Sequence, residues 1–164
     1  MVIDYLKDVF NVNIDDLEAG EIAKIIGTDI DGTLIDDVKK MNRNKKILKA
    51  QPSIEFRIKY LCKISDIESE INDGKPVIVC IFLSDNHRGF EHSVVITGID
   101  LENNLIFYND PIQGEVQEEI GTFNAAWEEA DSLMIKVEIG KRTQREILEY
   151  TNRDNIKRRE RKSE

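Results

Sequence analysis

The spacing of apolar residues first departs from the helical period at Ser53, and that change decides which folds are open to this chain. Ahead of Ser53 the spacing is helical. Val2, Ile3, Leu6, Val9 and Phe10 form one stripe, which predicts the back end of an amphipathic helix in MVIDYLKDVF, with no capping residue ahead of it. Leu17, Ile22, Ile25 and Ile26 form a second stripe, opened by acidic residues and stopped at Gly27. A third helix is expected from Thr33, with Asp36 as its capping partner and Leu34, Val38 and Met41 on its apolar face. The stretches NRNKK and QPS read as loops.

At Ser53 the period changes to two. Ile54, Phe56 and Ile58 alternate with Glu55, Arg57 and Lys59, the mark of a half-exposed strand. Ser65 and Glu68 match a capping box for a helix over DIESEIND, which Gly74 ends. VIVCIFL suits a central strand, HSVVITGID and NLIFYNDP two more, FNAAWEEA a short helix and SLMIKVEI a last strand. Helices first and consecutive antiparallel strands after them give an α+β domain with its helices packed on one sheet. One domain is expected over residues 1–140. A charged helix or tail follows over 141–164, where TQREILEY offers an apolar edge through Ile147, Leu148 and Tyr150.

The net charge of −9 is unevenly spread. Residues 141–164 hold nine Lys or Arg against five Asp or Glu, which leaves 14 against 27 for the rest. An acidic body repels nucleic acid, so a nucleic-acid role is confined to the basic tail, which also suits an acidic partner or the body itself. No apolar run approaches the roughly eighteen residues that a membrane span needs. The first residues lack the basic start and long apolar stretch of a secretory signal, so a cytoplasmic location is expected. Two cysteines make no disulfide framework and fit a reducing compartment. No glycine-rich phosphate loop occurs, and no cofactor is expected.

The strands HSVVITGID and NLIFYNDP flank a polar turn and pair most simply as a hairpin. His92 then sits across from Ile112 to Gly114, and Asp110 across from Val94 to Ile96, both at the open end. If Asp110 faces Val94 or Ile96, it shares a face with His92; if it faces Val95, the two lie on opposite faces. The sequence leaves that parity open. Their proximity matters chemically, because an imidazolium beside a thiol stabilises the thiolate and a carboxylate on the far ring nitrogen fixes the tautomer. A histidine opening a strand is ordinarily just exposed, however, and Asp-Pro is common turn chemistry.

The ordered set GKPVIVCIFL, HSVVITGID, NLIFYNDPIQG and FNAAW resembles the papain-like cysteine peptidases that cleave double-glycine leaders from bacteriocins, and their free-standing relatives. AGEIAKIIGTDIDGTLIDDV also looks like their helix, glycine-threonine pair and following helix, and the resemblance covers roughly residues 1–137. It implies a papain-like fold in which His92 is the base and Asp110 orients it. It also implies a nucleophilic cysteine, preceded by an oxyanion-hole glutamine, a turn or two ahead of Met1 and outside this sequence. The resemblance therefore leaves two functions open: a peptidase-family domain without its nucleophile, and a non-catalytic domain that binds a peptide or protein.

Two cysteines are present to substitute. Cys80 lies inside an apolar strand and reads as a small buried hydrophobe. Cys62 is the better candidate nucleophile, since the order Cys, His, Asp fits; against it, Cys62 ends a strand, and the resemblance places nothing catalytic there. Asp85, His87, Glu91 and His92 lie within SDNHRGFEH and suggest a metal, but that stretch has the polar and glycine content of a loop and no second cluster completes a site. No metal is expected.

Overall fold

The structure, a computed structural model, describes residues 2–29, 33–85 and 88–140. The 141–164 segment with its expected helix lies outside the described residues, as does His87. The elements are α1 (Val2–Phe10), α2 (Ala19–Ile26), a 3-10 segment (Ile35–Arg43), α3 (Lys45–Lys49), β1 (Ser53–Lys59), α4 (Ile64–Asn72), β2 (Val77–Asp85), β3 (Arg88–Asp100), β4 (Leu105–Asp110), β5 (Gly114–Glu119), α5 (Ile120–Glu128) and β6 (Met134–Gly140). Among the described residues the strands form a six-stranded antiparallel sheet in the order β1-β6-β2-β3-β4-β5. This is the α+β class read from the change of spacing at Ser53. The chain divides into two compact units, one up to Glu55 and again from Glu138, the other Phe56–Val137.

In the first unit α1 buries Ile3 and Leu6, and Val12, Ile14, Met41 and Ile47 are buried with them. Helix α2 stops where Gly27 takes a φ of 71°, a conformation that side chains disfavour. The third helix departs from expectation: it is a 3-10 segment that opens at Ile35 behind Leu34, with no side-chain cap. The Thr33 hydroxyl bonds the Thr28 hydroxyl at 2.6 Å, and Asp36 takes Lys39 at 2.6 Å, so neither half of the expected cap forms. NRNKK is not wholly a loop either. Asn44 Oδ1 accepts the Lys46 N–H at 2.8 Å and caps α3, so the asparagine that signals a turn also starts a helix.

In the second unit β2 lies between β3 and β6 and buries Val77, Val79 and Ile81. Ile67 of α4 and Phe123 and Trp127 of α5 join the same core. Helix α4 opens two residues before the expected Ser65–Glu68 box: its N-cap is Lys63, whose N–H donates to Asp66 at 2.8 Å. Lysine has no acceptor, so this cap has one arm only. SDNHRGFEH, expected as a loop, is mostly strand, since the β2–β3 ladder runs to Asp85↔Arg88. Gly89 makes room there for a cross-strand aromatic, because a Cβ at this position would lie 1.8 Å from the Phe82 ring. Strand β5 was not expected at all. Its Glu-rich sequence has poor strand propensity, and pairing with β4 imposes the extended form.

The β3–β4 register answers the parity question. Beside the turn, Asp100↔Leu105, Ile99↔Ile106 and Gly98↔Phe107 form a regular ladder. Continued unbroken, it would set Asp110 across from Val95, on the face away from His92. The ladder shifts between Ile96 and Gly98, and beyond the shift Ile96↔Tyr108 and Val95↔Asn109 pair. Exposed Thr97 is the extra residue of a β-bulge, and the bulge brings Asp110 across from Val94 and onto the face of His92. Deleting Thr97 removes the bulge and its need together, leaving Ile96 beside Gly98 in regular alternation. The shortened chain is expected to keep a thermal midpoint within about 5 °C of the parent, as for a change under roughly 1 kcal/mol. It should also keep the downfield proton signal of an imidazole bound to a carboxylate. Loss of either result would show that the bulge does more than set register.

Candidate active site

The candidate site lies wholly in the Phe56–Val137 unit. β2 holds β3 through Ile81↔His92, and β4 ends at Asp110. His92 is 9% exposed and Asp110 5%. Their contact, His92 Nε2 to Asp110 Oδ2, is 2.9 Å. The other carboxylate oxygen, Oδ1, accepts the N–H groups of Ile112 at 2.6 Å and Gln113 at 3.0 Å. This is an Asx turn: Pro111 has no N–H to compete, and Gly114, at a φ of 83°, returns the chain as β5. Burial alone would raise the Asp110 pKa. The two backbone N–H groups and then His92 outweigh it and hold the carboxyl below its ordinary value.

These contacts fix the imidazole. An ionised carboxylate can only accept, so Nε2 carries the proton that faces Asp110, and Nδ1 is left as the basic nitrogen. Among the described residues Nδ1 has no hydrogen-bond partner. Phe90, two residues back on the same face, stands edge-on to the ring with centroids 6.4 Å apart, and is itself 51% exposed. The sequence reading brought His92 and Asp110 to one end of a hairpin. It missed Phe90 and the two backbone donors, although Asp-Pro followed by glycine is a legible Asx-turn signal.

Tyr108 lies on the same face of β4 and donates to Glu118 Oε2 at 3.1 Å. Burial first, then the Glu118 charge and hydrogen bond, push its pKa up to about 12. A phenol with a raised folded-state pKa stabilises the fold below its unfolded pKa near 10, and that contribution is lost as pH rises towards about 12. The urea midpoint of the parent is therefore expected to fall across that window faster than that of Tyr108→Phe. Parallel curves would show that the phenol is not held in its neutral form.

Neither cysteine resembles an activated nucleophile. Cys62 is 8% exposed within the core, its Sγ is 3.8 Å from the Tyr60 carbonyl, and burial pushes the thiol pKa up. Cys80 is 3% exposed and 3.4 Å from the Ser93 hydroxyl, and burial raises it too. Since Ile81 pairs with His92, its neighbour Cys80 points to the opposite face of the sheet. Of the suggested metal set, His87 lies outside the described residues, and Glu91 and His92 are adjacent on a strand and so face opposite ways. Among the described residues no group of three His, Cys, Asp or Glu could hold a metal ion.

An antiparallel α+β sheet carrying a buried imidazole–carboxylate pair at one end is the kind of scaffold on which a cysteine peptidase seats its base. The chain matches the model of the peptidase C39-like family over residues 1–135 and belongs to that family. Its fold is similar to the crystal structure of a Bacillus anthracis protein assigned as a C39-like peptidase, with a TM-score of 0.51 and 17% identity. The similarity covers 68% of this chain and 62% of that one, so this chain spans less than two thirds of that structure's length. No curated protein matches the chain. No described helix is long and apolar enough to cross a membrane.

Proposed function

We propose that this chain is a peptide-handling domain of the cysteine-peptidase type, in which His92 is the general base, working through Nδ1, and Asp110 orients its ring. One observation carries this reading: the 2.9 Å contact from Nε2 to a carboxylate whose other oxygen is held by two backbone N–H groups. In such chemistry a thiol gives its proton to the free imidazole nitrogen as sulfur attacks the peptide carbonyl. The imidazolium returns that proton to the departing amine, and water then releases the acyl group. Cys62 and Cys80 do not supply the thiol: both are buried in the described core, Cys80 faces the side of the sheet away from His92, and burial pushes both thiols up. The sequence resemblance puts the cysteine and its glutamine ahead of α1. With neither of these cysteines as the nucleophile, the pair is read as engaging a peptide without cutting it, a binding role on a papain-like fold.

Double-glycine leader peptides, the substrates of the relatives that the sequence resembles, are the first ligands to try. Of the two histidines, His87→Asn leaves His92 as the single imidazole to follow by NMR. Leader peptide is expected to shift the His92 ring signals while mass spectrometry finds no fragments. Ring signals that stay put under saturating peptide would overturn the peptide reading. Fragments that disappear in His92→Ala would overturn its non-hydrolytic part.

A further inference from the structure

Strand β5 ends the sheet. β4 holds its inner edge, and among the described residues no strand meets its outer one. The Ile120 N–H bonds the Asn104 carbonyl at 3.0 Å, which makes Ile106↔Glu118, Tyr108↔Val116 and Asp110↔Gly114 the hydrogen-bonded pairs of this ladder. The backbone N–H and C=O groups of Glu115 and Gln117, and the N–H of Glu119, therefore point away from β4, along the open edge; the Glu119 carbonyl opens α5. That edge starts at the site, because Gly114 pairs with Asp110 and the intervening turn supplies the two N–H groups on its carboxylate. Of the devices that block exposed edges, β5 has neither proline, lysine nor a bulge; its glutamates turn away other acidic edges and leave a cationic chain free to pair.

The charge along this edge selects its occupant. From Gly89 to Ile135, the stretch that carries most of β3 and all of β4, β5 and α5, there are ten Asp or Glu and neither Lys nor Arg. A second copy of so anionic an edge is repelled, and a cationic chain is attracted. The two faces of β5 differ as well. Glu115 and Glu119 are exposed on the face away from Asp110, and half-buried Val116 lies on the Asp110 face.

We propose that the outer edge of β5 is a docking strand for an extended Lys- or Arg-rich peptide, which adds to the sheet and runs past Gly114 to the His92–Asp110 pair. The proposal rests on the reading of that pair as a peptide-handling site. The outward N–H and C=O groups of Glu115 and Gln117, with the Glu119 N–H, bond the peptide main chain. Basic side chains at alternate positions meet Glu115 and Glu119, and apolar ones lie beside Val116.

A fluorescent peptide alternating Lys and Val, its Glu–Val counterpart and the full chain make the test, read by anisotropy. The Lys–Val peptide is expected to bind and to weaken with salt, because exposed charges are screened beyond about 10 Å at 0.1 M; the Glu–Val peptide is expected not to bind. Gln117→Pro removes one outward N–H and spares the β4 ladder, and Glu115→Lys reverses one charge. Each is expected to weaken the Lys–Val peptide about tenfold, or roughly 1.4 kcal/mol. Unchanged affinity in both variants, while leader peptide still shifts His92, overturns the edge proposal and leaves the site reading standing. No His92 response to any peptide marks failure of the site reading beneath it and removes the proposal as well. Binding that appears only once residues 141–164 are removed would assign the edge to that basic segment and overturn an outside partner.

Discussion

Trp127→Ala is expected to lower the unfolding free energy by about 4 kcal/mol, the largest loss from any single truncation in the Phe56–Val137 unit. The indole is fully buried, its ring centroid 5.9 Å from that of Phe123, which lies 6.0 Å from that of Tyr108. Truncating a buried aromatic to alanine costs roughly 3–5 kcal/mol in transfer and cavity energy. A second cost follows, because Nε1 donates to the Leu133 carbonyl at 2.8 Å and that acceptor would be left buried without its partner. Domains of this kind have about 5–15 kcal/mol in total, so the variant should fold with little margin and melt roughly 8–16 °C lower. This is the chain's single tryptophan, so unfolding must be followed by circular dichroism rather than fluorescence. Trp127→Phe separates the two costs: it keeps a ring and loses the hydrogen bond, for an expected loss of about 1.5 kcal/mol. A loss below about 1 kcal/mol in the alanine variant would show that the indole is not packed as described.

The core that Trp127 anchors is legible in the sequence because burial leaves apolar runs. Val77, Val79 and Ile81 lie in one such run, Val94 and Ile96 in a second, and Ile106 and Tyr108 in a third. Features that depend on a partner rather than on period were not readable. Strand β5 is extended because β4 pairs with it, whatever its glutamates prefer. Gly89 carried a turn signal that the Phe82 ring overrides. The cap of α4 lies at Lys63 and not at Ser65 because Asp66 accepts the Lys63 N–H, a bond set by local geometry. At the site, both side chains were named from the sequence, but their shared face depended on Thr97 leaving the ladder. One unpaired residue in thirteen of β3 leaves no trace in the pattern of hydrophobicity.

Two substitutions at Asp110 divide its structural role from its control of His92. Asp110→Ala leaves four donors facing an empty place: the N–H groups of Ile112 and Gln113, the Gln113 side-chain amide and His92 Nε2. A loss of about 3 kcal/mol is expected at neutral pH, since buried donors without partners cost roughly 1–3 kcal/mol and a charged acceptor is the partner lost. The deficit should shrink in acid. The Asp110 pKa is depressed in the folded state, so its contribution is present above the unfolded value near 3.9 and is lost as pH falls through the folded one. Asp110→Asn behaves differently. The two backbone N–H groups demand an oxygen at Oδ1, which forces the amide nitrogen towards His92, where it must donate. Nε2 then has to accept, the ring proton moves to Nδ1, and the nitrogen proposed to take a proton becomes one that holds it. The asparagine variant is therefore expected to stay within about 1 kcal/mol of the parent in stability while the nitrogen-15 signals of Nδ1 and Nε2 exchange character. Unexchanged signals in a folded Asp110→Asn protein would mean that the turn does not hold Oδ1, and with it would go the argument that this carboxylate sets the working nitrogen of His92.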